Sequence, residues 1–108
     1  MSKTLELSKQ EVFMAYNRVK SYLHKTPIIT SETLNDMLGH KIYFKVESLQ
    51  KTGAFKVRGA LNHLLALQEE GKLPEKVVAY STGNHGIGLA WCAKTLGIKA
   101  RIYLPENT

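Results

Sequence analysis

The sequence has one cysteine, Cys92, among 108 residues. No intrachain disulfide can form, which excludes a stapled secreted scaffold and suits a reducing cytoplasm, the expected compartment. Cys92 sits in an apolar helical pattern and reads as a buried structural thiol. Proline occurs three times, and there is no low-complexity stretch, internal repeat or flexible linker. No apolar run approaches the roughly 20 residues that span a membrane, and Met1 to Gln10 lacks the apolar core of a secretory signal. Acidic residues are outnumbered nine to 15, yet the cations are scattered from Lys3 through Lys25, Lys45, Lys72 and Lys94 to Arg101. No basic run interleaved with aromatics is present, so nucleic-acid binding is not expected. His24, His40, His63 and His85 show no metal-ligand spacing, and no cysteine pair joins them.

What remains is ordinary soluble composition, 44% hydrophobic and 22% charged, enough for one compact domain. Ser8 followed by Glu11 is a capping box that starts a helix. Val12, Tyr16, Val19 and Leu23 fall on one face of it, and Thr26-Pro27 is its stop. Ser31 is the next N-cap, with Leu34, Met37 and Leu38 as a short apolar face and Gly39 as terminator. Lys41 to Val46 alternates as a strand does, and Glu47 to Phe55 reads as a loop. A strong helix follows through Val57, Ala60, Leu61, Leu64 and Leu65, ended by Gly71 and Pro74. Val77 to Ala79 predicts a strand covered on both faces. His85 to Leu96, closed by Gly97, predicts a helix, and Ala100, Ile102 and Leu104 a last strand. Alternating strands and helices imply an α/β fold with a parallel sheet of three strands between helical layers. So small a sheet, with its last strand uncovered by any following helix, predicts a fragment of a larger fold.

Two segments carry chemistry. In Lys51-Thr52-Gly53-Ala54-Phe55-Lys56-Val57-Arg58-Gly59-Ala60, Lys56 falls at the first turn of a helix. The positive end of the helix, Lys51 and Arg58 all disfavour an ammonium there, which suits an amine that attacks an aldehyde. Gly59 leaves one side of that turn open to a flat ring. The plainer alternative is a solvated first-turn lysine. In Ser81-Thr82-Gly83-Asn84-His85-Gly86, a loop joins the carboxyl end of a strand to a helix N-terminus, where an open α/β sheet places ligands. Its amides and hydroxyls suit an anion such as an amino-acid carboxylate. The alternative is that Ser81 or Asn84 only caps the helix.

Together the segments resemble the fold-type II pyridoxal-phosphate (PLP) enzymes, the serine/threonine dehydratase and serine racemase family, whose fold is that of the tryptophan synthase β-like enzymes. Ala54 to Ala60 matches that family's lysine motif, and Gly83 to His85 its Gly-Asn-His loop. Lys25-Thr26-Pro27 and Phe44-Lys45-Val46-Glu47 are also similar to it. The resemblance implies PLP as cofactor, attached at Lys56, which later removes the substrate's Cα proton. It implies that Phe55 packs at the ring, that Asn84 bonds the ring's phenolic oxygen, and that Ser81, Thr82, Asn84 and His85 hold the substrate carboxylate. The implied reaction is β-elimination from a small amino acid, L-threonine or L-serine, to a 2-keto acid and ammonia, in a homo-oligomer. By the same resemblance, residues 1–75 belong to the large PLP-binding domain and 76–108 begin the small one.

Three departures qualify the match. Thr82 stands where dehydratases often have Ala and racemases Ser, and its hydroxyl could reprotonate the opposite face, giving serine racemisation. Ile87 replaces a usual Gln. The family's glycine-rich phosphate cradle and its partner for the pyridine nitrogen have no counterpart in these residues, so the 108 residues alone are expected to have little or no activity. A non-catalytic remnant that associates through its sheet edge is the rival from another class. Ser48 to Lys51 and Lys51-Thr52-Gly53 match two motifs of penicillin-recognising enzymes, but they overlap at Lys51, whereas that chemistry needs them on separate elements.

Overall fold

The structure, a computed structural model, describes residues 6–107, so the first half of the Met1 to Gln10 segment and Lys3 lie outside it. Helix α1, Lys9–Val19, starts at the expected capping box. The Ser8 hydroxyl accepts from the Glu11 amide at 3.1 Å, and the Ser8 amide donates to the Glu11 carboxylate at 2.9 Å. It ends at Val19, short of Thr26-Pro27, so Leu23 lies past the helix. Of the expected apolar face only Val19 is buried, and Val12 and Tyr16 remain exposed.

Strand β1, Ile28–Thr30, follows, then helix α2, Glu32–Leu38. Ser31 caps α2 at the Leu34 amide, and Gly39 ends it at φ 67°, left-handed backbone that glycine takes without a Cβ clash. Strand β2, Tyr43–Lys45, pairs antiparallel with β1, placing Ile29 opposite Phe44. The expected loop after it contains two single 3-10 turns, Glu47–Leu49 and Lys51–Gly53.

Helix α3, Lys56–Glu69, buries Val57, Leu61, Leu64 and Leu65. Strand β3, Lys76–Tyr80, leads to helix α4, Asn84–Leu96, which ends at Gly97 in left-handed conformation. Strand β4, Lys99–Tyr103, returns parallel to β3, with Tyr80 beside Tyr103. The core joins Val57, Leu61, Leu64 and Leu65 of α3 to Leu89 and Cys92 of α4 and Val19 of α1. Cys92 is fully buried, as its apolar surroundings predicted.

Two expectations are corrected. Among the described residues the strands form two separate two-stranded sheets rather than one parallel sheet of three. Alternation reveals that β2 is a strand but says nothing of its partner, which is β1, the short segment after Pro27. Strand β3 is covered on one face only. Val77 and Ala79 are half-buried towards α4, whereas Val78 and Tyr80 are 57% and 75% exposed.

Candidate active site

Lys56 opens α3 without a side-chain cap, since Phe55 at the N-cap makes no such bond. Helix α4 opens similarly, with Gly83 at its N-cap. Both helix starts carry partial positive charge, although on α4 the Gly86 amide of the first turn is taken by the Ser81 hydroxyl.

Glycine brings them together. A Cβ at Gly88 would lie 3.1 Å from the Val57 nitrogen and 3.4 Å from the Lys56 carbonyl carbon, so α4 rests on the first turn of α3 only because Gly88 has no side chain. One turn on, the Cys92 thiol donates to the Val57 carbonyl oxygen at 3.8 Å. Burial pushes that thiol up to about 11, so it stays protonated and unreactive at neutral pH. Gly86 does for α4 and the sheet what Gly88 does for the helices, because its Cβ would sit 3.0 Å from the Ile102 side chain.

Lys56 is exposed, and its amine lies 5.5 Å from the Phe55 ring centroid. No hydrogen bond or ion pair engages that amine among the described residues. Phe55 is 61% exposed, and a Cβ at Gly59 would meet nothing within 4 Å. An exposed amine over an exposed ring, next to a bare backbone turn, fits a flat aldehyde cofactor.

The second segment is divided. Ser81 and Thr82, with Gly83, Gly86 and Ile87, line a cavity of about 340 Å³ that reaches Ile102 and Leu104 of the β4 end. His85 lines another of about 410 Å³, shared with Gly59, Ala60 and His63 of α3. Asn84 is exposed at the head of α4. The Ser81 hydroxyl accepts from the Gly86 amide at 3.1 Å and the Gly83 amide at 3.3 Å. Ser81 thus orders the loop from within and caps the first turn of α4, while Thr82 and His85 line different cavities.

A polar cluster that sequence reasoning missed lies on the other side of Lys56. Arg58 pairs with Glu47 through both Nε and Nη2, the latter at 2.9 Å. Glu47 also accepts from the Thr26 hydroxyl at 2.6 Å and the Gln50 amide at 3.5 Å. Gln50, 4% exposed, accepts from the amides of His24 and Lys51 and donates to the His24 carbonyl oxygen. Lys45 donates to the Thr26 carbonyl oxygen at 2.6 Å. The Arg58 bond holds the Glu47 carboxyl down to about 2, against the opposing pull of burial, with Thr26 and Gln50 assisting. The Glu47 carboxylate in turn raises Arg58. Arg58 is therefore a neutralised pair rather than the free cation assumed beside Lys56. The only available signal was that Thr26, Lys45, Glu47 and Arg58 all fall within the motifs, with nothing to say that they meet. Thr52, between these groups, takes φ 64°, and its buried hydroxyl has no partner among the described residues.

The turn that carries Lys56 thus packs, through Gly88, against a second helix that follows a strand of the parallel pair. Residues 19–108 match the family described as pyridoxal-phosphate dependent enzyme, and the chain belongs to that family. It is 43% identical over 98 residues to the serine racemase of Dictyostelium discoideum, covering 91% of this chain and 30% of that protein. With the L-threo-3-hydroxyaspartate ammonia-lyase of Saccharomyces cerevisiae it shares 48% identity over 97 residues, 90% of this chain and 29% of the relative. It superposes on the threonine deaminase of T.th. with a TM-score of 0.81 at 43% identity, over 94% of this chain and 32% of that one. The chain thus spans about 30% of the length of the curated relatives it matches. Its α/β fold is that of the N-terminal part of the fold-type II PLP enzymes, and the family's cofactor is pyridoxal phosphate.

Proposed function

We propose that this chain carries the lysine-bearing part of an enzyme that converts L-threonine or L-serine to a 2-keto acid and ammonia. The observation that carries the reading is the seating of α4 on the first turn of α3 through Gly88, which joins the helix that begins with Lys56 to the helix that follows the Ser81 to Gly86 loop. Pyridoxal phosphate, when bound, supplies an electron sink for the negative charge left at the substrate's Cα.

The chain's own groups do the rest. Lys56 would hold the cofactor through its amine, and that amine, when free, would take the substrate's Cα proton. Phe55 would pack on the cofactor ring and Asn84 would donate to its phenolic oxygen. The substrate carboxylate is assigned to the loop at the start of α4, where Ser81 shapes the loop through the Gly86 amide and Thr82 and Asn84 are exposed beside it, while His85 lines a separate cavity. The β-hydroxyl would leave as water with the proton that Lys56 takes from Cα, and the released enamine would react with water to give the keto acid and ammonia. Residues 1–75 are assigned to the large domain and 76–108 to the start of the small one, meeting where α3 and α4 pack.

Serine racemisation is the second reading, favoured by the Thr82 hydroxyl beside the substrate loop and by the similarity to serine racemases. Thr82→Ala in the complete protein should abolish racemisation and spare elimination. The primary test treats the 108-residue chain with pyridoxal phosphate, reduces with borohydride and maps the modified peptide by mass. Label confined to Lys56 is expected, and label spread over surface lysines would sink the reading.

A further inference from the structure

Helix α3 begins without a side-chain cap, so something else must fix the turn from which the Lys56 side chain departs. We infer that Glu47 and Arg58 are positioning residues for Lys56, a two-pronged clamp that holds the first turn of α3 in place while leaving the amine free.

Arg58 is two residues beyond Lys56, in the same turn. Its guanidinium makes two parallel bonds to the Glu47 carboxylate, a geometry that fixes orientation as well as distance. The carboxylate is itself held by Thr26 and Gln50, and Gln50 is bound on both sides to the His24 backbone. Three chain segments, at His24 to Thr26, Glu47 to Lys51 and Arg58, thus converge on one carboxylate whose side chain is only 15% exposed. The opposite side of the turn is closed by Gly88 and Cys92 against Val57. Contacts on these two flanks oppose sliding of the turn along α4 and its rotation about the helix axis. None of these bonds reaches the Lys56 amine, so the clamp sets the origin of the side chain without occupying the group that reacts.

The role of Lys56 rests on the function proposed above, so the test uses two independent readouts on the whole 108-residue chain. Lysines are reductively methylated with ¹³C-formaldehyde, and the Lys56 signal is assigned through Lys56→Arg. The Phe55 ring should displace that signal from the other lysines. Glu47→Gln should return it to the common position, Glu47→Asp should give an intermediate shift, and Glu69→Gln, which breaks the Arg18 pair elsewhere on α3, should leave it unchanged. Separately, the share of borohydride-trapped pyridoxyl label at Lys56 should fall about tenfold or more in Glu47→Gln and not in Glu69→Gln. A displaced signal that survives Glu47→Gln, or an undisplaced one in the unaltered chain, overturns the clamp. Absence of label from the unaltered chain defeats the role of Lys56 while the methyl signal still decides the clamp. Should Glu47→Gln fail to fold, as judged by circular dichroism, Glu47→Asp carries the comparison, and a shift identical to the unaltered chain's refutes the inference.

Discussion

Glu47 shows what one side chain can do to the pH response. Its carboxyl titrates at about 2 in the folded chain, against an ordinary value of 4.5, chiefly because Arg58 bonds its charged form. A depressed carboxyl stabilises the fold fully above its unfolded value and loses that contribution as pH falls from about 4.5 towards about 2. Glu47→Gln removes the charge and leaves Arg58 half-buried without its partner, which should cost about 2–3 kcal/mol at neutral pH. Urea denaturation of the two proteins should therefore show a gap that is constant above about pH 5 and closes towards pH 2. A gap independent of pH would mean that the pair contributes nothing as a charge. Composition and spacing could not foretell this, because Glu47 and Arg58 lie in different elements and their meeting depends on the fold.

At the scale of elements, the approach of α4 to α3 turns on Gly88. Gly88→Ala would set a methyl 3.1 Å from a backbone nitrogen that cannot rotate away, so the helices must part by a few tenths of an ångström. The expected loss is about 1–3 kcal/mol, read as a lower urea midpoint with unchanged slope, together with weaker pyridoxyl labelling at Lys56. Full stability and labelling in Gly88→Ala would show that the two segments do not depend on this contact. What was legible in the sequence follows the same division between local and distant. Caps at Ser8 and Ser31, terminators at Gly39 and Gly97, and the cores of α3 and α4 were readable because each is decided within a few residues. The pairing of β2 with β1, the bare face of β3 and the early end of α1 were not, because each depends on partners many residues away. The candidate site follows the pattern. Lys56 and the Ser81 loop were readable as motifs, whereas the separation of His85 from Ser81 and Thr82 depends on how α4 sits between α3 and β4.

At the scale of the molecule, the surface is too large for the mass. The chain exposes 8452 Å² at 12.1 kDa, where a compact protein of that mass exposes about 6,000 Å². Its radius of gyration is 17.0 Å, against about 13 Å for a compact chain of this length. Part of the excess is the outer face of the β3–β4 sheet, where Val78, Tyr80 and Tyr103 stand together at 57%, 75% and 48% exposure. Tyr80 and Tyr103 are neighbours across the ladder, and α4 covers only the opposite face. By the same register Lys76, Lys99 and Arg101 share this face, so an apolar end lies beside a cationic one, and the exposed Val78, Tyr80 and Tyr103 end is the part that favours association. The 108-residue chain should therefore bind an apolar-surface dye and sediment as oligomers that grow with concentration. Val78→Lys with Tyr80→Lys places two charges on that face without touching the core. The double variant should lose most dye binding and sediment as a monomer, with the α3–α4 packing and Lys56 labelling retained. A wild-type monomer that binds no dye would show that this face needs no cover, and would leave the excess surface to other parts of the chain.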